Sequence, residues 1–526
     1  MKDFKSPTDE ILFSLHHVAD AGASDAHDPG LAADALNQFA TFAEQVIAPT
    51  NRTGDQQGCR LENGRVRTPD GFPDVFQQTA KGGWLGLTVP EAYGGMELDR
   101  LTAAGISEIS TGANHALQMA TGLLPGAVST LLRFGTEEQK QRWIPRLADG
   151  RTLNTMCLTE AGAGSDLSRV RTKAEHQGDG WHLSGEKIFI SNGDQDLSED
   201  ILHFVLARSR PDETGTKGLS LFLCPSQISS GRNDVRVARI EDKLGIHGSP
   251  TCQLVFDGAQ AELIGEEGGG LAAMFTLMNH ARIDVALQGV AHAARAWDIA
   301  ANYAGDRTQG RRSDGSPAML SDHADVRQML DEQRALAVGA RAMCHLALVV
   351  LGDPDQLPLA DFMTPICKIF ATEAGIRAAD LGIQVLGGYG YLEEYDIAQT
   401  WRDARITSIY EGANGIHALT AATRGLTAHG GAGADAFVNF IMTLGADAAP
   451  VNSCLADWQD MRAGILAHQG VPANARLFAN LTADLFFRAA WVRIGSVAVG
   501  TEFEEEFQQL SQKVLNSPMP LPRFSA

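Results

Sequence analysis

The chain has 526 residues, too many for one simple core. A make-up of 44% hydrophobic, 20% charged and 7% aromatic residues supplies enough apolar surface to offset chain ordering, which excludes disorder over most of the length. Asp and Glu number 64 against 43 Lys and Arg, a formal charge of −21, so a face for nucleic acid or anionic lipid would have to be local.

Taken in chain order, residues 1–150 read mainly as helices. Leu36–Val46 carries apolar residues at helical spacing and is predicted to stop before Pro49. Thr136-Glu137-Glu138-Gln139 has the pattern of a capping box and opens a predicted helix ending near Gly150. From residue 155 the texture changes. Trp181–Ser191 reads as strand with a turn inside. Leu202–Ala207, Leu219–Leu223, Val235–Ile240 and Gln253–Phe256 are short, rich in β-branched and aromatic residues, and punctuated by Gly, Pro, Asn and Asp. Strands so closely spaced predict an antiparallel sandwich or barrel.

After Gly268-Gly269-Gly270 the period is helical again. Leu271–Asp306, Ser321–Leu351 and Phe362–Leu386 are long for single helices and predict a bundle. Gly430-Gly431-Ala432-Gly433 reads as a linker, with two or three further amphipathic helices expected in 435–526. Helices, then strands, then helices, with no βαβ alternation, make the class α+β and argue against a doubly wound sheet.

Seven cysteines, an odd number without a CxxC, argue against a disulfide framework and a cysteine zinc site and fit a reducing, cytoplasmic compartment. The apolar run Ile11–Leu15 is too short for a signal peptide, and no stretch of ~20 apolar residues suggests a membrane span. There is no GxxxxGK[ST], HExxH or GxSxG, so the sequence makes no case for a P-loop NTPase, a zincin or an α/β-hydrolase. Gly387-Gly388-Tyr389-Gly390 follows a helical segment, not a strand, and is no Rossmann fingerprint. The histidines are scattered, and no metal site is expected.

Met156-Cys157-Leu158-Thr159-Glu160-Ala161-Gly162-Ala163-Gly164-Ser165-Asp166 is a glycine-rich loop whose backbone N–H groups a ligand could approach closely. Alone it is only a polar loop. Its companions are Lys187-Ile188-Phe189-Ile190-Ser191-Asn192-Gly193, Met278-Asn279-His280-Ala281-Arg282-Ile283, Asp306-Arg307-Thr308-Gln309-Gly310-Arg311, Gln384–Tyr391, Trp401–Arg405, and Ile409-Tyr410-Glu411-Gly412-Ala413-Asn414-Gly415-Ile416.

With these motifs in this order and spacing, residues 35–425 resemble the acyl-CoA dehydrogenase family of flavoproteins. Asn51-Arg52-Thr53-Gly54-Asp55, Gly245–Cys252 and the Gln309-Gly310-Arg311 ending are similar to the longer bacterial members that act on 3-methylmercaptopropionyl-CoA. The resemblance implies an N-terminal helical domain (1–154), a middle antiparallel β-domain (155–266), a C-terminal helical bundle (267–430) and an extra C-terminal helical region (431–526). It implies FAD between the β-domain and the bundle, completed by a neighbouring subunit of a homodimer or homotetramer. It also implies an electron-transfer flavoprotein as acceptor.

Removing hydrogens from Cα and Cβ of an acyl thioester needs a base for the α-proton, donors aimed at the developing enolate oxygen and a hydride acceptor. A carboxylate in an apolar pocket suits the first role. By the resemblance, Glu411 is that base, its N–H helps hold the thioester oxygen, and Gly412 lets the chain pass close to cofactor and substrate. Met156, Leu158, Thr159, Gly164, Ser165, Phe189 and Ser191 would contact FAD, with Thr159 on the ring and Phe189 and Ser191 flanking its face. Arg307, Gln309, Gln384, Gly387 and Gly388 would meet the pyrophosphate and adenine end of the partner's FAD. Ser165, Asn279 and Arg282 would contact the acyl-CoA. The sequence departs from the family pattern at Phe189, where Trp is frequent, at Ala161 for Pro, at Ala413 for Thr and at Asn279 for Asp. None of these removes the base.

The implied reaction is α,β-desaturation of a short acyl-CoA, with 3-(methylthio)propanoyl-CoA giving 3-(methylthio)acryloyl-CoA as the sub-family substrate. An acyl-CoA oxidase would use the same base, and a lyase on this fold would use the flavin without net oxidation. A DNA-associated flavoprotein of the same fold would need a basic C-terminal region, which Thr501-Glu502-Phe503-Glu504-Glu505-Glu506 and the −21 charge argue against.

Overall fold

The computed structural model describes residues 3–24, 27–178, 180–445, 448–468 and 472–516, apart from the side chains of 279–281, 468 and 472. Its contacts fall into two units. One comprises Met1–Glu44, Arg100–Ala113 and Arg282–Ala526; the other comprises Gln45–Asp99 and Asn114–Ala281.

The second unit is built on a seven-stranded sheet: β1 Thr152–Cys157, β2 Lys173–Gln177, β3 Gly180–Ser191, β4 Asp200–Arg208, β5 Leu219–Pro225, β6 Val235–Ile240 and β7 Thr251–Ile264. The order is β6-β7-β3-β2-β4-β1, and β5 pairs with both β7 and β4. That double pairing closes β7, β3, β2, β4 and β5 into a ring around Leu183, Val205, Phe222, Leu254 and Phe256. Closure leaves few free edges and gives the strands an enclosed apolar face. Pairing is mostly antiparallel, but β1 runs parallel to β4.

Strand β1 is absent from the sequence reading because it is buried on both faces and shows no alternation. Its polar side chains are satisfied inside: Thr155 Oγ1 lies 2.8 Å from His203 Nδ1. Strand β3 runs unbroken through the stretch in which a turn is predicted, Gly185 included. A Cβ there would lie 2.7 Å from Thr172 Cα, so the glycine serves a close approach and not a turn. Strand β7 runs well beyond Phe256, with a register break between Asp257 and Ala259 that hides its alternation. The predicted capping box is formed. Gln139 N donates to Thr136 Oγ1 at 3.2 Å and Thr136 N to Gln139 Oε1 at 3.0 Å, opening the helix Glu137–Ala148.

The helix predicted over Leu36–Val46 starts earlier, at Pro29, capped by Asp28. Pro49 does not stop the winding. It sits in the first turn of Ala48–Thr50, where its missing N–H costs nothing, and Asn51–Gln57 continues as helix.

The first unit holds α1 (Gly270–Asp306, from Arg282 onward), α2 (Ala324–Gly352) and α3 (Leu357–Leu386), and beyond them α4 (Ala432–Gly445), α5 (Ala449–His468), α6 (Ala475–Val497) and α7 (Glu504–Asn516). Among its described residues the late segment thus forms four helices, not two or three, and α4 begins inside the expected linker, just after left-handed Gly430 and Gly431. These helices share the core of α2 and α3. Phe362 meets Phe437 at 5.1 Å and Phe370 meets Phe487 at 4.8 Å between ring centres. Gly339 of α2 leaves the space that the Phe487 ring fills, since a Cβ there would lie 2.3 Å from it.

Helix α2 is long and apolar enough to cross a membrane by composition, but the apolar window is 83% buried within the protein. It also carries buried Arg334 and Arg341. Arg341 donates to Glu108 and Glu10, and Arg334 to Glu10 and Glu506 while stacking over Trp297, so one charged cluster ties α2 to the short helix Thr8–Phe13 and to α7.

Candidate active site

In the sheet unit, β1 runs into the glycine-rich loop. Leu158 is buried, Met156 and Thr159 are half-buried, and Gly164 and Ser165 are exposed. The loop is fixed from beneath. Glu160 and Ala163 exchange both backbone hydrogen bonds, at 3.1 and 3.0 Å. Lys187, fully buried on β3, donates to Leu158 O at 3.0 Å and Glu160 Oε1 at 2.9 Å. Glu160 also accepts from Arg171 N, Thr172 N and Thr172 Oγ1, and the lysine holds its carboxyl below the usual range despite burial.

The same strand presents Phe189. Ile188 N donates to Thr159 O at 2.9 Å, which brings the two motifs side by side. Phe189 has φ 60°, left-handed for a bulky residue, at a register break in the β3–β7 pairing, and the residue is 61% exposed. A strained, exposed aromatic at a bulge is a built feature, costing on the order of 1–3 kcal/mol that the fold has to offset. Ser191 is half-buried, and Asn192 behind it donates to Met119 O and Ala120 O.

In the helical unit, Tyr410-Glu411-Gly412 leads into the helix Asn414–Ala422. Glu411 has φ 53° and Gly412 φ 95°, two successive left-handed residues. Three contacts hold this turn. His417 Nε2 donates to Glu411 O at 3.1 Å. Lys368 Nζ, from α3, donates to Gly412 O at 2.8 Å. Tyr410 Oη donates to Gln288 Oε1, and Gln288 in turn donates to Asp284 Oδ2 at 3.1 Å. Glu411 Oε2 is buried and has no hydrogen-bond partner among the described residues.

A buried, unpartnered carboxylate oxygen is costly as an anion. Burial therefore pushes Glu411 up to about 7, against the pull of Arg282 and Lys368, with Asp284 adding to the rise. Burial also lowers His417 to about 4, so near neutral pH it is an uncharged donor to the Glu411 carbonyl. The arrangement provides a base poised near neutrality, aimed away from the protein's own donors.

Gly412 is required by this packing. A Cβ there would sit 2.7 Å from His417 Nε2, at a φ that L-residues rarely adopt. Gly412→Ala should displace the imidazole, lose its bond to Glu411 O and cost roughly 1–3 kcal/mol of stability. The check is thermal unfolding beside kinetics: kcat should fall more than substrate affinity does.

Elsewhere on the helical unit, Arg307, Gln309, Gln384, Gly387 and Gly388 are all exposed. Arg307 stacks over Tyr389 at 5.6 Å, which joins the 307 and 387 motifs in one patch. Nothing lies within 4 Å of a Cβ built on Gly387 or Gly388, so their backbone is open to a ligand. Gln309 O accepts from His323 Nε2 at 2.8 Å. Asn279 lies outside the residues whose side chains are described.

Sequence reading missed Lys368, His417 and Asn414. Asn414 links Lys368 to Thr372 and Glu373. One signal was legible: a lone lysine inside the largely apolar stretch Phe362–Ala371, where a solvated lysine would be out of place.

Profiles described as the N-terminal, middle and C-terminal domains of acyl-CoA dehydrogenase match residues 34–151, 155–259 and 268–426. The chain is 39% identical over 463 residues to the 3-methylmercaptopropionyl-CoA dehydrogenase of Ruegeria pomeroyi, spanning 83% of this chain and 79% of that one. It is 34% identical over 456 residues to a broad-specificity linear acyl-CoA dehydrogenase of Mycobacterium tuberculosis, spanning 80% and 74%. Among solved structures, ACDH-11 of Caenorhabditis elegans in complex with C11-CoA superposes with a TM-score of 0.85 over 98% of this chain and 92% of that one. At 21% identity that likeness is one of fold, and it takes in the late helices as well.

Proposed function

The chain belongs to the acyl-CoA dehydrogenase family, and on that premise we propose that it desaturates a short acyl-CoA between Cα and Cβ, with Glu411 as base and FAD as cofactor. The observation that carries the reading is the Glu411 carboxylate: buried at Oε2, without a partner, and raised to about 7.

FAD, when bound, supplies the acceptor for the β-hydrogen. The residues fit such a group. Phe189 offers an exposed aromatic face, Thr159 and Ser191 offer hydroxyls beside it, and Arg307 with the open backbone of Gly387 and Gly388 offers a charge and N–H groups for phosphate oxygens. Glu411 takes the α-proton and its backbone N–H polarises the thioester carbonyl. Arg282 is close enough to favour the ionised base before transfer. Met156, Leu158, Gly164, Ser165, Gln309 and Gln384 complete the proposed cofactor set, and Arg282, Asn279 and Ser165 the substrate set. A homodimer or homotetramer, with an electron-transfer flavoprotein as acceptor, belongs to the same reading.

The proposed substrate is 3-(methylthio)propanoyl-CoA, after the Ruegeria relative. A thioether sulfur is close to a methylene in size and polarity, and one methylene in an apolar pocket discriminates by only ~1–3 kcal/mol. Plain C4 to C6 acyl-CoAs should thus react within about two orders of magnitude of the thioether. The test is a steady-state screen of acyl-CoAs with an artificial electron acceptor on flavin-loaded protein. Palmitoyl-CoA as best substrate by kcat/KM would overturn the chain-length assignment, and no turnover of any acyl-CoA would overturn the function.

The pH dependence follows with its sign. The base works ionised, and its pKa is raised from 4.5 to about 7. The rate kcat/KM should climb tenfold per pH unit below that value and level off above it. An acid limb centred near 4.5, the ordinary glutamate value, would show that Glu411 is solvated and not the tuned base.

A further inference from the structure

We propose that Lys368 is a positioning residue for Glu411, gripping the peptide that follows the base and supplying the charge that keeps the base ionised; this rests on the reading of Glu411 as base. Lys368 is 0% exposed, set on α3 among buried Ile366, Cys367, Ile369 and Phe370. An ammonium so placed must find acceptors. Those it finds are neutral: Gly412 O at 2.8 Å and Asn414 Oδ1 at 2.9 Å. Among the described residues no carboxylate oxygen lies within the 4.0 Å of a salt bridge to its Nζ.

A lysine kept only to stabilise the fold would be expected to pair with a carboxylate or be replaced by an apolar residue. This one spends its hydrogen bonds on the turn that carries Glu411. With His417 holding Glu411 O and Lys368 holding Gly412 O, two successive left-handed peptides are each anchored from a different helix. That fixes the direction in which the carboxyl points.

The charged and titratable groups that act on Lys368 lie on its own helix and on three other segments. Glu411 lies on the turn, Glu373 on α3 itself, Arg282 on α1 and His417 on the following helix. Burial drives Lys368 down to about 7, against the upward pull of Glu411 first and Glu373 second, so it is a cation over the acid limb and sheds its charge above that value. His417 stays uncharged near neutrality, so over the acid limb Lys368 and Arg282 are the cations favouring ionised Glu411. Losing one of them should raise the base further.

The test uses full-length, flavin-loaded Lys368→Met and Lys368→Gln, with kcat/KM for butyryl-CoA followed against pH. Titration of the protonated-carboxyl infrared band, with Glu411→Gln as the blank, gives a readout besides turnover. The expected result is an acid limb and a carboxyl titration moved up by roughly one unit or more. The plateau kcat should fall about 10–100-fold while KM changes less. An unmoved acid limb in folded, flavin-loaded variants overturns the proposal. Should neither variant fold, Asn414→Asp sets a carboxylate beside Nζ and neutralises it locally. The acid limb must then move up as well, and an unmoved one overturns the proposal. Glu411→Gln run in parallel separates the two readings. Full activity there removes the base assignment itself, whereas an inactive Glu411→Gln beside Lys368 variants of wild-type profile removes only the role of Lys368.

Discussion

Glu411→Gln should lose turnover of acyl-CoA by ~10³-fold or more while still binding substrate and FAD, the scale of general-base loss. The amide has the carboxylate's shape, so the left-handed turn and its anchors to His417 and Lys368, which grip backbone oxygens, should survive. The backbone N–H of residue 411 also survives, so the thioester should still be held. Single-turnover reduction of bound flavin, set beside substrate affinity, separates the two effects. Retained turnover would move the base elsewhere. Two other carboxylates of the site are poor substitutes: Asp284 accepts from Gln288 and Ser107, and Glu373 accepts from Asn414.

Arg341→Met should unfold the helical unit early, losing about 3–5 kcal/mol, the range for a buried ion pair broken on one side. Arg341 is 1% exposed and makes three hydrogen bonds to Glu108, itself 1% exposed, and one to Glu10. Methionine fills much of the space but leaves Glu108 as an uncompensated carboxylate in the core. Burial already holds Glu108 above the usual range even with the arginine present. Arg334 and Arg341 together hold Glu10 below that range. A lowered carboxylate contributes stability above its unfolded pKa and loses it as pH falls. The deficit of the variant should therefore be widest near neutral pH and narrow as pH drops below about 4.5, where both carboxyls can take protons. Urea unfolding at two pH values measures it, and a pH-independent deficit would mean that only packing was lost.

What the sequence determined by itself was whatever depends on local pattern or on a motif in one stretch of chain. The three long helices after Gly270 were legible because apolar residues recur at the helical period over many turns. The cap at Thr136 was legible because its two partners are three residues apart. The motif series from Met156 to Ile416 was legible as a family resemblance, and with it Glu411 as a candidate base. What only the tertiary structure decided was everything made by residues distant in sequence. β1 was hidden because burial on both faces erases alternation. The choice between a sandwich and a closed barrel was left open by the sequence, because it turns on β5 pairing with strands on either side of it in the chain. The late helices could not be placed on α2 and α3 without knowing that Gly339 makes room for Phe487. The tuning of Glu411 belongs to the same class. A glutamate's identity is local, but its pKa is set by burial and by Arg282, Lys368 and Asp284, which lie 43 to 129 positions away in the chain and come near it only when α1 and α3 fold around the turn.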